Sequence, residues 1–332
     1  MMHDFLAELL QCPVCHGILE WHNIERRREQ IEEAEAHCTV CGIVYPVHHG
    51  IGFFLTTNLP RQDYWEQSSS GISQYFTEHP EVERELMAVP LESLHPADQF
   101  LRSLVLEDRG QYAEARAIAE LAIPALYTPE YRTGWQSQMD YVLERLARVE
   151  GPIVDLASGR CYLAEKMAQQ LSQPVVVTDF SPRVLRRDQE QFQLWGLDDR
   201  ISLLALDARR TPFKDGAVQT MTSNLGLVNI EQPGSLWEEL RRIVRGILLS
   251  VSHFYPEKDS QNGAAIRDLG LGDLLFERPA LLRFVEAGWQ VEIVNCYEGR
   301  ALPTPPGTIM DGRIDGLPIT ETVLKWCVLV AS

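Results

Sequence analysis

Ile153-Val154-Asp155-Leu156-Ala157-Ser158-Gly159-Arg160-Cys161-Tyr162-Leu163-Ala164-Glu165-Lys166 reads as a short apolar strand, a turn of small residues and the start of a helix. Small residues in such a turn let a ligand approach the backbone and the N-terminus of the following helix. The dinucleotide fingerprint G-x-G-x-x-G directly after a strand is absent. Instead an acid, Asp155, closes the strand before the turn. A carboxylate there suits a ligand with a cationic amine, which a dinucleotide pyrophosphate lacks.

Working outward, short apolar runs at 153–157, 175–179, 201–206, 218–223 and 247–252 alternate with amphipathic stretches at 161–171, 182–195 and 234–245. This βαβα alternation predicts an α/β fold: a doubly wound, mostly parallel sheet with helices on both faces. A ligand in such a sheet binds outside the carboxyl ends of the strands, where strand order reverses. Three further acids or amides fall at strand ends. Asp179 comes 24 residues after Asp155, where a carboxylate can accept from both ribose hydroxyls, with Phe180 beside it. Asp207 and Ala208 follow the third strand, and Asn224 the fourth.

Upstream, residues 58–150 have few β-branched runs and many helix formers, and predict a helical segment serving as linker or lid. Residues 1–57 stand apart from both that segment and the 151–332 unit. Cys12-Pro-Val-Cys15 and Cys38-Thr-Val-Cys41 are two C-x-x-C knuckles separated by 22 residues. Two such knuckles supply four thiolates for a tetrahedral, closed and therefore structural Zn²⁺. Gly17 and Gly42 follow the knuckles, where the chain must turn back. The runs at 18–21 and 43–47 suit ribbon strands. His16, His37, His48 and His49 are alternative ligands, but four cysteines already complete the set.

The net charge is −17, from 47 acidic and 30 basic residues. An acidic surface repels phosphate backbones, which disfavours nucleic acid as a partner. The arginine pairs at 186–187, 209–210 and 241–242 read as solvated surface positions. The N-terminus, Met1-Met-His-Asp-Phe-Leu-Ala-Glu8, has neither the basic nor the apolar region of a secretory signal. No apolar run approaches the ~20 residues of a membrane helix. A cytoplasmic protein with no membrane partner is expected, in which cysteines bind metal or stay reduced. Cys161, Cys296 and Cys327 read as small core residues.

Two resemblances follow from these motifs. Leu9-Leu10-Gln11-Cys12-Pro13-Val14-Cys15-His16-Gly17, with Cys38-Thr-Val-Cys41-Gly-Ile-Val-Tyr45-Pro46-Val-His-His-Gly50-Ile, resembles the Trm112-type zinc-ribbon family over about residues 8–55. Gly52 stands where that family usually has proline, and the insert between knuckles is longer. The family activates or stabilises methyltransferase partners or is fused to them, which implies a possible protein partner for the ribbon. The stretch from Asp155 to Cys161 resembles motif I of class I S-adenosylmethionine (SAM)-dependent methyltransferases, with Cys161 in place of the last glycine. Thr211-Pro-Phe-Lys-Asp-Gly through Asn224 resembles the family segment entering the fourth strand, with Gln219 replacing its terminal acid. The resemblance covers about residues 150–332. It implies SAM as cofactor, with Asp155, Ala157, Ser158, Gly159, Asp179, Phe180, Asp207, Ala208 and Asn224 as its contacts.

Methyl transfer is an in-line displacement, so the protein chiefly aligns the nucleophile and excludes water. The fourth strand is followed by Asn224-Leu-Gly-Leu rather than N/D-P-P-Y/F, which argues against exocyclic-amine and glutamine acceptors. His253, after the fifth strand, is the candidate general base; a capping or solvent-facing histidine is the plainer alternative. Tyr131, Arg132 and Trp135 are candidates to close over the cofactor. The expected function is methyl transfer to a small-molecule or protein acceptor. RNA methylation through the ribbon, and a non-enzymatic interaction protein on a SAM fold, are the alternatives.

Overall fold

The computed structural model describes residues 1–332 except 57, 58, 60–62, 306–308, 310–313 and 315; the side chains of 64, 65 and 68–70 are also left aside. The expected boundary between residues 57 and 58, and much of the Pro/Gly-rich loop at 303–318, lie outside the described residues.

The chain begins with β1 (Met2–His3), α1 (Phe5–Leu9), β2 (Leu19–Arg27), β3 (Gln30–Cys38), β4 (Val44–His48) and β5 (Ile51–Phe54). Five helices follow: α2 (Tyr64–Glu78), α3 (Pro80–Ala88), α4 (Pro96–Asp108), α5 (Tyr112–Leu126) and α6 (Pro129–Leu146). Their starts carry ordinary signals. Pro129 opens α6, and the Thr128 hydroxyl accepts from the Tyr131 N–H at 3.1 Å.

The alternating unit consists of β6 (Ile153–Asp155), α7 (Tyr162–Gln170), β7 (Val175–Asp179), α8 (Pro182–Leu194), β8 (Ile201–Leu206), β9 (Val218–Asn224), α9 (Leu236–Ile243) and β10 (Val244–Phe254). It closes with α10 (Ser260–Asp268), α11 (Gly272–Leu275), α12 (Glu277–Glu286), β11 (Val291–Ala301) and β12 (Thr322–Ala331). Every residue of β7 and β8 is buried, as parallel strands covered on both faces require. The stretch expected as helix to residue 245 ends at Ile243. β10 starts at Val244, ahead of the expected residue 247, and an irregularity in its pairing with β9 lies between Val244 and Ile247.

The strand order is β5-β8-β7-β6-β9-β10-β12-β11. Pairs β5–β8, β8–β7, β7–β6, β6–β9 and β9–β10 are parallel; β12 runs antiparallel to β10, and β11 to β12. This is the doubly wound, mostly parallel sheet expected from the sequence. Order reverses between β6 and β9, which opens the crevice at their carboxyl ends.

The cysteine-bearing segment does not hang beside this sheet. β3 and β4 pair antiparallel, β4 turns into β5, and β5 lies parallel on β8 with Ile51 opposite Leu203 and Phe54 opposite Leu206. One sheet therefore runs through both parts. One core does too: Leu6, Leu10, Tyr45 and Phe54 pack with Val176, Leu204, Leu206 and Phe213. Main-chain bonds from Gln11 N–H to Pro212 O (2.7 Å) and from Lys214 N–H to Leu9 O (2.9 Å) close the seam. Among the described residues, no helix is long and apolar enough to cross a membrane.

Candidate functional site

The turn after β6 is built from left-handed backbone. Ala157, Gly159 and Cys161 have φ of 50°, 54° and 56°. Only glycine adopts that region freely. A Cβ on Gly159 would meet nothing within 4 Å, so open space lies in front of this residue. Cys161 takes the conformation that a glycine would take more cheaply, at a cost of about 1–2 kcal/mol. Its thiol is buried and donates to Asp188 Oδ2 at 3.1 Å. The missing glycine thus leaves the shape of the turn intact.

Asp155 sits beneath the turn, fully buried, and accepts from the Thr222 hydroxyl at 2.6 Å. The Ser158 hydroxyl donates to Asp155 O at 2.9 Å. Asp179, at the end of β7, receives the Gly159 N–H on Oδ2 (3.0 Å) and the Ser181 N–H on Oδ1 (2.9 Å). A carboxylate offers about four lone-pair directions, so Asp179 keeps capacity for further donors. Beside it, the buried Ser181 hydroxyl has no partner among the described residues. Phe180, next along, is half-buried. Burial pushes the carboxyls of both Asp155 and Asp179 up to about 6, against the hydrogen bonds they accept.

Asp207 and Ala208 are buried at the end of β8. Asp207 is already engaged: it accepts from Arg209 N–H (2.9 Å), Nε (3.0 Å) and Nη2 (2.7 Å). Arg209 is therefore a buried partner, not a solvated surface arginine. Asn224 Oδ1 accepts from Trp135 Nε1 at 3.0 Å, which ties α6 to the end of β9. The next turn presses on the motif: a Cβ on Gly226 would lie 2.5 Å from Ala157 O and 2.8 Å from Ala157 Cβ. No larger residue fits there. Asp155, Ala157, Ser158, Gly159, Asp179, Phe180, Asp207, Ala208 and Asn224 thus share the carboxyl edge of the sheet. Gln219 does not; it begins β9 at the opposite edge, where it accepts from Arg245 Nε at 3.1 Å.

His253 is neither solvent-facing nor a cap. It is 6% exposed on β10, its ring centroid 4.9 Å from that of Trp326 and 5.8 Å from that of Tyr255. Nδ1 has no partner, and burial lowers its pKa to about 4. A base that weak is poorly matched to neutral pH. Tyr131 is buried against Trp326, with ring centroids 4.8 Å apart. Cys161 and Cys327 are buried as expected, but Cys296 is exposed because β11 is the edge strand.

Sequence reasoning missed the network behind the turn. Arg187 is 8% exposed on α8. Its Nη2 donates to Gly159 O at 2.7 Å and to Asp188 Oδ1 at 2.8 Å. Glu107, at the end of α4, pairs with Arg160 and lies 3.7 Å from Arg187 Nη1. The Arg160 guanidinium also covers Phe100. The helical segment is thereby bound to the turn through buried charges. Thr56 was also missed. It follows β5, which parallels β8 toward the carboxyl edge, and its buried hydroxyl has no partner among the described residues. No local pattern marks either feature, because both depend on pairing distant in sequence.

The four cysteines converge, with Cys12 Sγ 3.6 Å from Cys41 Sγ and Cys15 Sγ 3.4 Å from Cys38 Sγ. Tetrahedral Zn–S bonds of ~2.3 Å place sulfurs about 3.8 Å apart, so the cluster has the size of a closed four-thiolate site. Cys41 N–H points at Cys38 Sγ (3.4 Å), and Tyr45 Oη lies 3.3 Å from Cys12 Sγ. Among the described residues no histidine joins this cluster. Gly42 has φ +73°, as expected of a turn-back, but at the first knuckle that backbone belongs to His16 (φ 58°).

Residues 153–246 match the family described as a methyltransferase domain, and residues 3–50 match the Trm112p-like protein family. No curated protein matches the sequence. Among solved structures, the YcgJ protein of Bacillus subtilis aligns at 14% identity over 59% of this chain and 97% of its own, with a TM-score of 0.47. A SAM-dependent methyltransferase from Aquifex aeolicus aligns at 15% identity over 58% and 88%, with a TM-score of 0.40. Geranyl diphosphate C-methyltransferase from Streptomyces coelicolor A3(2) aligns at 13% identity over 61% and 82%, with a TM-score of 0.44. All three likenesses are remote. One chain thus joins a stretch similar to methyltransferase domains at residues 153–246 to a stretch similar to Trm112p-like proteins at residues 3–50.

Proposed function

We propose that the chain is a SAM-dependent methyltransferase acting on a small molecule or a protein, with a structural Zn²⁺ held by Cys12, Cys15, Cys38 and Cys41. The observation that carries it is the left-handed turn 157–161 set between the carboxylates of Asp155 and Asp179 at the strand-order reversal. SAM, when bound, supplies an electrophilic methyl group on a sulfonium. The chain's own residues supply the setting. The open face of Gly159 admits the ligand to the backbone, and Asp179 with the idle Ser181 hydroxyl accepts and donates toward the ribose. Asp155 puts negative charge under the turn, where a cationic amine is favoured. Asp207 is held rigid by Arg209, which leaves the backbone at Ala208 as the adenine contact. His253 takes no proton-transfer role; alignment and water exclusion suffice for an acceptor that is nucleophilic as bound. The helices α2 to α6 act as a lid fixed to the turn. Mass spectrometry of the purified chain tests the reading: co-purified SAM or S-adenosylhomocysteine is expected, and a different nucleotide in that place would contradict it.

The raised carboxyls give a pH prediction. Burial holds the carboxyls of Asp155 and Asp179 up at about 6, whereas a cationic ligand favours their ionised forms. Protons therefore compete with the ligand as pH falls through 6. SAM affinity measured at pH 5 is expected to be about tenfold weaker than at pH 7 for each carboxyl that must ionise. An affinity independent of pH over that interval would remove both acids from the ligand's electrostatics.

Tyr45 gives a second test. Its hydroxyl lies 3.3 Å from Cys12 Sγ and would donate to that sulfur as the thiolate of a bound metal. Outer-shell partners are typically worth 10–100-fold in metal affinity. Tyr45→Phe is expected to weaken Zn²⁺ binding about tenfold in chelator competition while the fold is kept.

A further inference from the structure

On the opposite side of β4 from the knuckles, a second group of metal-binding side chains converges. The β4–β5 hairpin turns on His49-Gly50, with His48 opposite Ile51. Both turn residues have positive φ, 51° and 75°, the two-residue turn that normally selects Asn-Gly. Here the first position is histidine. Consecutive strand side chains point to opposite faces, but this turn swings His49 back, and the His48 and His49 rings lie 4.0 Å apart. Both rings face Glu33 on β3. His48 Nδ1 lies 2.8 Å from Glu33 Oε2, and His49 Nδ1 lies 3.6 Å from Glu33 Oε1. The carboxylate is also aimed by the chain, because the His49 N–H donates to Glu33 Oε1 at 2.9 Å.

We propose that Glu33, His48 and His49 form a second metal site, separate from the four cysteines, for a divalent first-row transition ion such as Zn²⁺, Co²⁺ or Ni²⁺. The three ligand atoms lie within 4.8 Å of one another. Bonds of ~2.1 Å to nitrogen and oxygen would bring them to roughly 3.0–3.4 Å. Two imidazoles and one carboxylate suit such ions rather than Mg²⁺ or Ca²⁺, which prefer all-oxygen sets. The surroundings favour a cation: Glu25 and Glu35 line the same surface depression as Glu33 and His48. His48 and His49 are exposed, so the ion keeps positions open to water. The backbone carbonyl of His49 accepts from Gln189 on α8 at 2.5 Å, which anchors the turn to the methyltransferase unit.

The test is a Co²⁺ titration of the metal-free full chain with two readouts. Thiolate-to-cobalt charge-transfer absorption reports the cysteine cluster, and total bound cobalt after dialysis reports every site. Total cobalt is expected to exceed thiolate-bound cobalt by one equivalent. The double variant His48→Ala with His49→Asn, in which Asn keeps the left-handed turn, is expected to lose that equivalent and retain the absorption band. Equal cobalt totals in the parent and the double variant would overturn the proposal. So would loss of the extra equivalent in His22→Ala/His37→Ala instead, since those rings form a separate pair 4.6 Å apart. Absence of the absorption band, with the extra equivalent intact, would count against the four-thiolate reading alone and uphold this site.

Discussion

Cys38→Ser is expected to abolish stoichiometric zinc binding and to unfold the first 54 residues, and the damage is not expected to stop there. A structural zinc contributes on the order of 10–16 kcal/mol of binding free energy at neutral pH, comparable with the whole stability of a domain. The ribbon has little else of its own, because its apolar residues Leu6, Leu10, Tyr45 and Phe54 belong to the core they share with Val176, Leu204 and Leu206. Loss of β5 also bares the edge of β8, a fully buried apolar strand and so an aggregation template. Zinc content, soluble yield and protease resistance of residues 153–254 are expected to fall together. A Cys38→Ser protein that lacks zinc yet melts and resists protease like the parent would show that the two parts fold independently.

Glu107→Ala carries the second large effect. Glu107 is 8% exposed and faces two guanidinium groups, those of Arg160 and Arg187. Removing one partner of a buried ion pair leaves charge uncompensated and costs about 3–5 kcal/mol. Asp188 still meets Arg187, but Arg160 loses its ion-pair partner among the described residues. Because Arg187 also holds Gly159 O, the turn is expected to loosen, and SAM affinity to fall with stability. Glu107→Gln keeps a hydrogen-bonding group and is expected to fall between the two. An unfolding free energy within about 0.5 kcal/mol of the parent, the range of ordinary surface substitutions, would contradict the coupling of α4 to the turn.

Much of this was legible in the sequence. The strands ending in Asp155, Asp179 and Asn224 announce themselves by apolar runs closed by a polar residue, and the observed strands end at those residues. The cysteine knuckles are legible because metal geometry demands a fixed spacing. What was hidden is long-range. Nothing around Ile51–Phe54 says that this strand will pair with a strand 150 residues away, since parallel pairing leaves no turn to read. Arg187 and Arg209 look like surface arginines until Glu107 and Asp207 are placed beside them. His253 was expected just after the fifth strand, but β10 runs through it to Phe254 and the covering Trp326 decides its environment, which no local pattern shows.

The central claim is that the turn 157–161 and its flanking carboxylates hold SAM. Calorimetric titration of SAM into the zinc-loaded full chain at pH 7.5, beside the Asp179→Ala variant, tests it most directly. The account predicts saturable binding at one site in the parent and its loss in the variant. No heat of binding in a folded, zinc-loaded parent, or equal affinity in the Asp179→Ala protein, would contradict it.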